Sequence, residues 1–294
     1  KSHDIPLMID ELIVSQEQPF PGIITFAKHK LIKSIENNRE KVILEGQGGD
    51  EIAAGYQYIF GSFIKDLIEK DENIDNEIEK FAKINNISVE KAKLKVESGM
   101  KAIDSYGWSA DCTNFLKPQC FNKKFIEKYD VKPVFPKKFK SNVLNFQYKD
   151  LFYTKLPRIL RSCDRTSMYH SKELRVPLLD HRLLEFCFNI PSKLKIKNGE
   201  QRYFYREAFK KIVPKEILRK PKNAVVDPQT KWLTNELKDW VTEIITSNTF
   251  KSRDIFNEEV IKKEYNNFVK NKGNNSFFIW QCINLEFWYR NFID

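Results

Sequence analysis

Lys41-Val-Ile-Leu-Glu-Gly-Gln-Gly-Gly-Asp-Glu51, continuing into Ile52-Ala-Ala-Gly-Tyr56, decides how the rest of the chain is read. Val42, Ile43 and Leu44 form a short β-rich apolar run. It ends in a turn carrying Gly46, Gly48 and Gly49, and two carboxylates, Asp50 and Glu51, open the helix expected to follow. Strand, glycine turn and acidic helix start are how an α/β protein builds a nucleotide or metal–phosphate site. Glycine lets backbone approach a ligand closely, and a helix N-terminus presents unpaired N–H groups to anions. An acid there suits Mg²⁺, which uses one or two carboxylates together with phosphate oxygens. The spacing is not a dinucleotide fingerprint, because Glu51 stands where the third glycine would be, and no Walker loop is present. Taken alone, the stretch reads equally well as a sharp turn whose acids complement a helix dipole.

Working outward, 294 residues suffice for one large domain or two small ones. A hydrophobic share of 41%, with 23 Phe, fills a core and excludes a disordered chain. The net charge of +10 is spread along the chain and interleaved with acids, with no run of five like charges. A nucleic-acid module with a basic face therefore ranks well behind an enzyme. Cys112, Cys120, Cys163, Cys187 and Cys282 are scattered without a CxxC pair. His3, His29, His170 and His181 make no HExxH, so no zinc site is expected. Reduced thiols in a cytoplasmic protein are expected. No stretch approaches 18 apolar residues, and no signal peptide shows. The chain opens on Lys1, which reads as a cut from something longer.

Periodicity predicts helices over 5–15 and 23–36, the second with Ile23, Ile24, Ala27, Leu31 and Ile35 on one face. A Pro-rich turn at 17–22 separates them. A strand follows at 41–45 and a helix at 51–70. Residues 71–100 read as exposed helices within an insertion or lid spanning about 61–149. Pro118, Pro133 and Pro136 interrupt 101–146. A helical block from about Asp150 to Leu174 stops before Pro177. Short helices are expected at 181–189, 201–212 and 215–219, with Asn198-Gly199 as a turn between two of them. Longer helices are expected at 232–246, 257–270 and 276–292. Only one strand is convincing, so the expected sheet is incomplete.

Two further clusters carry chemistry. Arg158, Arg161 and Arg165 share a helix face suited to phosphate, with Asp164 and Glu173 placed to hold them. A buried ion-pair network linking helices is the equal alternative. Lys222 lies between Pro221 and Pro228, where a flexible ammonium reaches a triphosphate or a developing oxyanion. An ordinary solvated lysine is the plain reading.

Read together, LEGQGGDEIAAGY (44–56), DRTSMYHSKELRVPLLDHRLLEF (164–186), NGEQRYFYREAFKKIVPKEILRKPK (198–222) and DPQTKWL (227–233) resemble the synthetase domain of glutamine-dependent asparagine synthetases. Glu17-Gln-Pro-Phe20 resembles the family's E-x-P-F turn. The resemblance covers most of 1–60 and 150–235. It implies an α/β ATP-pyrophosphatase fold of the adenine nucleotide alpha hydrolase kind, here truncated and mostly helical, running through 1–294. It further implies that ATP activates aspartate as β-aspartyl-AMP, that pyrophosphate leaves, and that ammonia from glutamine attacks the intermediate. Asp50 matches the Mg²⁺ ligand. Gly46, Gly48, Gly49 and Glu51 match the nucleotide side of the loop. Gln47 stands where many relatives carry a Glu that assists amide formation, and Gln cannot take up a proton. Lys222 matches the lysine that stabilises the adenylation transition state. Arg161, Arg165 and Asp180 match the substrate and pyrophosphate side. The family's S-G-G-x-D-S loop is absent and is expected upstream of Lys1. A glutaminase domain is expected there or on another chain, and a homodimer is possible. The 294 residues alone are expected to turn over little ATP. The alternatives are the same chemistry on a sugar uronate in surface polysaccharide assembly, or a non-catalytic scaffold.

Overall fold

The computed structural model describes residues 1–20, 22–104, 117–129, 133–220, 228–271 and 276–294. The domain is mostly helical with few parallel strands. Val42–Leu44 pairs in parallel with Glu173–Arg175, in the register Val42↔Glu173, Ile43↔Leu174 and Leu44↔Arg175. The second strand corrects the expectation of a helix reaching Leu174. The helix Leu156–Tyr169 ends at His170, Ser171 turns the chain with φ 54°, and a strand follows. Lys172, fully buried, donates to the carbonyls of Asn38 and Glu40. That bond pair lays the incoming strand beside the start of its partner.

One core joins the two ends of the chain. Ile5, Ile9, Leu12 and Ile13 form the inward stripe of Asp4–Gln16, which packs on Phe277–Phe292. Lys238–Thr246 and Glu258–Asn271 complete that core around the buried Trp280. The helix expected over 232–246 is two helices, Gln229–Thr234 and Lys238–Thr246, broken at Asn235.

A second core lies around Gln57–Ile68, which packs on Val89–Ile103 and Asn142–Phe152. The expectation that 71–100 is exposed does not hold. Ile78, Phe81 and Ala82 of Asp75–Asn85 are buried, as are Ala92, Val96, Ala102 and Ile103 of the next helix. Phe81 stacks on Phe60 with ring centroids 4.0 Å apart. Two small residues allow the close crossing. A Cβ on Gly61 would lie 2.7 Å from the Gly99 Cα, and one on Gly99 would lie 2.5 Å from the Tyr58 carbonyl oxygen. The segment looked polar because its buried stripe is narrow, not because it is solvated.

Two more differences bear on the site. Ile24–Lys33 buries Thr25, Phe26, His29 and Ile32 against Leu156–Tyr169 and Asp4–Gln16, while Ile24 and Leu31 remain exposed. The helix expected over 51–70 is two helices, Gly49–Ile52 and Gln57–Ile68. Ala54 adopts φ 55° at the break, and the Gly55 N–H turns back to the Asp50 carbonyl at 2.8 Å.

Candidate active site

Because the two strands run parallel, their carboxyl ends lie side by side, the place where open α/β sheets bind ligands. The Glu45 N–H donates to the Arg175 carbonyl at 2.9 Å, which locks the first turn to the second. Gly48 sits at φ 95°, and a Cβ there would lie 2.2 Å from Leu179 Cδ2. Glycine is thus required at 48 both by its backbone and by the neighbouring turn. Gly46 meets nothing within 4 Å, so its bare backbone faces open space. The helix that Asp50 and Glu51 open is four residues long, so its dipole is small.

Asp50 Oδ1 is ion-paired with Arg202 Nη2 at 2.6 Å, both side chains largely buried. Arg202 is delivered by a hairpin, Ile196–Lys197 against Glu200–Gln201, closed by Asn198 and Gly199 at φ 54° and 70°. A turn between helices was expected there. Gln201 clamps the hairpin to the glycine loop by donating to the carbonyls of Ala54 and Tyr56 at 3.0 and 2.6 Å. A Cβ on Gly55 would strike Asp50 Oδ1 at 2.0 Å, so the loop closes around the pair.

Glu51 is buried, and its carboxylate accepts from the Tyr56 hydroxyl at 2.6 Å. Burial and the neighbouring Glu51 carboxylate push that phenol far above its usual range. Gln147 Nε2 donates to the Glu51 carbonyl, and Gln147 Oε1 accepts from Lys195 Nζ at 2.8 Å. Lys195 is fully buried, and desolvation brings its ammonium down to about 8. A chain of buried polar groups from the second core therefore fixes the short helix.

Gln47 Nε2 donates to Glu45 Oε1 at 3.3 Å, and Lys28 Nζ donates to the same oxygen at 2.5 Å. Lys28 Nζ also donates to Cys163 Sγ at 2.6 Å, and burial raises that thiol. Glu45 Oε2 is sealed from solvent and has no hydrogen-bond partner among the described residues.

The arginine face is arranged differently from expectation. Arg161 Nη1 donates to the Gln16 carbonyl at 3.1 Å, and Arg165 pairs with Glu17 at 2.9 Å. Asp164 and Glu173 do not hold them: Glu173 pairs with Arg175 at 2.7 Å. Arg161 and Arg165 are tied to Gln16 and Glu17 at the end of the first helix, while Arg158 donates to the Thr154 carbonyl at 2.6 Å, an arrangement the helix spacing alone does not show. Asp180 caps His181–Asn189, accepting from the Arg182 N–H at 2.9 Å. Lys222 lies outside the described residues, so its distance from Asp50 does too. Arg202, Glu45 and Lys28 were not singled out in the sequence. Arg202 had a signal, since it stands three residues after Gly199 of the Asn198-Gly199 turn in one of the quoted stretches. A cavity of about 230 Å³, lined by Ile103, Asp104, Phe135, Lys137 and Lys149 among others, includes no residue of the glycine loop.

Among the described residues no three His, Cys, Asp or Glu side chains cluster to cage a metal. Of the loop's three acids, Glu45 is held by Lys28 and Glu51 is buried on the Tyr56 hydroxyl, which leaves Asp50, itself paired with Arg202, as the candidate carboxylate. That donor set fits Mg²⁺ drawing its other ligands from phosphate and water, and does not fit an all-protein site.

The family model described as asparagine synthase matches residues 2–290. Asparagine synthetase [glutamine-hydrolyzing] 1 of Bacillus subtilis (strain 168) is 32% identical over 154 residues, which is 50% of this chain and 24% of that protein. The asparagine synthetases [glutamine-hydrolyzing] of Gallus gallus and Homo sapiens are 46% and 44% identical over 72 residues. Each of those matches covers 24% of this chain and 13% of the relative. The chain thus spans well under two thirds of the relatives it matches.

Proposed function

This chain belongs to the asparagine synthase family, and from that premise we propose that it carries the ATP-dependent amidation of aspartate to asparagine. The reading places the glycine loop in an ATP-pyrophosphatase fold. Aspartate is activated as β-aspartyl-AMP with loss of pyrophosphate, and ammonia released from glutamine by a glutaminase domain forms the amide. The observation that carries the reading is the Asp50–Arg202 pair at the carboxyl ends of two parallel strands, enclosed by the glycine turn.

Each local feature has a use in that reaction. Gly46 leaves backbone uncovered for close approach of a phosphate or acyl phosphate, and Gly48 lets the loop turn against Leu179. Asp50 would hold Mg²⁺, which neutralises charge on the departing pyrophosphate. Arg202 fixes the Asp50 carboxylate and adds a second cation. Lys222 is assigned to the same charge, and Arg161 and Arg165 to the substrate side through the turn that holds them. The mixed anhydride must be kept from water, and helices of the second core lie beside the loop to help exclude it.

The test is ATP–pyrophosphate exchange in the full-length protein that carries this chain, with aspartate or sugar uronates as carboxylate. Aspartate-dependent exchange is expected, lost in Asp50→Ala. Exchange that responds only to a uronate moves the acceptor, and exchange with neither overturns the reading.

A further inference from the structure

Lys215–Leu218 is a four-residue helix with no buried residue, and Arg219 and Lys220 after it are exposed. Water can serve the carbonyls of such a segment, so its own solvation calls for no protein donor. One is supplied all the same. Arg206, buried on the helix Tyr203–Phe209, donates Nη1 to the Leu218 carbonyl and Nη2 to the Lys220 carbonyl, the latter at 3.0 Å. Its Nε donates to the Gln201 carbonyl at 3.1 Å. Taking a guanidinium out of water is costly, and desolvation lowers its pKa. Glu200, 3.5 Å away, supplies the counter-charge and also accepts from Arg219 at 2.6 Å. A buried cation is thus devoted to an exposed segment that adds nothing to either core.

We propose that Arg206 is a positioning residue, which references the segment leading into Lys222 to the glycine loop. The inference rests on the amidation reading above, in which Lys222 meets the charge of the departing pyrophosphate. The Gln201 carbonyl is a fixed point, because the Gln201 side chain donates to the carbonyls of Ala54 and Tyr56 and the next residue, Arg202, pairs with Asp50. The Arg206 fork is planar and rigid, so bonds from its Nε, Nη1 and Nη2 set Gln201, Leu218 and Lys220 at one mutual geometry. Lys220 stands two residues before Lys222, a span of no more than about 7 Å between α-carbons. The pivot of the Lys222 segment is therefore held against the same loop that carries Asp50. A lysine at 206 would keep the charge and lose the fork.

The experiment is a double-mutant cycle on aspartate-dependent ATP–pyrophosphate exchange in the full-length protein, with urea unfolding as the control for folding. Arg206→Lys is expected to lower the exchange rate at saturating substrates by about 10–100-fold, the effect of displacing a reacting group by roughly 1 Å, with KM for aspartate within about threefold of wild type. In a Lys222→Ala background the same change is expected to lower exchange by less than about threefold, because the group it positions is gone. Arg206→Gln, which removes the buried charge as well, is expected to give the same split and carries the test should the lysine variant not fold. A folded Arg206 variant that exchanges at the wild-type rate overturns the proposal and leaves the amidation reading intact. So does an equal loss with and without Lys222, which makes Arg206 structural only. Lys222→Ala without loss of exchange overturns it too, since nothing is then left to position. Wild-type protein without aspartate-dependent exchange overturns the amidation reading itself, and the proposal falls with it.

Discussion

The turn after Val42–Leu44 and the turn after Glu173–Arg175 leave neighbouring strand ends, and both lead an acid to a helix start. Their acids are satisfied in opposite ways. Asp180 accepts from the Arg182 N–H, Nε and Nη2 at 2.9, 2.9 and 2.8 Å, so its carboxylate is consumed two residues away. Those bonds hold its carboxyl well below the usual carboxylate range. Two acids of the first turn draw partners from distant segments: Lys28 reaches Glu45 from the helix Ile24–Lys33 and Arg202 reaches Asp50 from the hairpin, while Glu51 takes the nearby Tyr56 hydroxyl and Gln147 reaches its backbone carbonyl from the second core. A cap needs only its own helix. A site built from remote parts needs the whole fold, and one oxygen of Glu45 is still left over.

The contact that joins the turns breaks with the largest effect. Gly48→Ala would place a methyl against Leu179 at a backbone angle that L-residues avoid. A loss of about 2–4 kcal/mol is expected in urea unfolding. An unchanged midpoint would mean that the turns are not packed as described. Next comes Gln147→Leu, which strands the Lys195 ammonium and the Glu51 carbonyl in the interior. It is expected to cost about 2–3 kcal/mol. Lys195→Met in the same background should return part of that, because the stranded charge is gone. Failure of the double variant to exceed the single would show that the two side chains act independently. Asp180→Ala sharpens the comparison from the other side. It should lower the unfolding midpoint slightly while leaving ATP–pyrophosphate exchange within about threefold, as loss of a local cap would. A deep loss of exchange would make the second turn part of the chemistry as well.

The same contrast explains what was legible in the sequence. Val42–Leu44, the glycine turn and the long helices announce themselves through neighbours in sequence: an apolar run, glycines, and i, i+3, i+4 stripes. Asp180, assigned by resemblance to the substrate and pyrophosphate side, proves to cap His181–Asn189. The strand Glu173–Arg175 was hidden because it is three residues long and follows a helix without a proline or glycine between them. The buried face of Ile24–Lys33 was misjudged because Ile24 and Leu31 are more apolar than His29, yet His29 is the residue inside. The pairing of Arg165 with Glu17, and of Asp50 with Arg202, depends on tertiary placement that no spacing rule contains. Motif resemblance reached Asp50 and Gln47 but not Glu45 or Lys28, whose partners only the fold reveals.

The smallest expected effect probes the helix that carries Lys28. His29, the next residue, is fully buried, with Glu11 at 3.3 Å and the His170 ring 4.6 Å away. His170 is itself bonded to Glu36 at 2.8 Å, and Lys33 and the Tyr169 ring complete the surroundings. Burial lowers His29 below its ordinary 6.5, opposed in part by Glu11. The folded protein therefore keeps this imidazole neutral further into acid than the unfolded chain does. Protons bind the unfolded chain first, so the stabilisation is present above pH 6.5 and is lost as pH falls below it. Carboxylates give way lower, near their own range, which leaves the interval from about pH 6.5 to 5 for His29. Urea midpoints should decline through that interval in wild type and stay flatter in His29→Gln. A wild-type midpoint as flat as that of His29→Gln would show that burial does not hold this imidazole neutral.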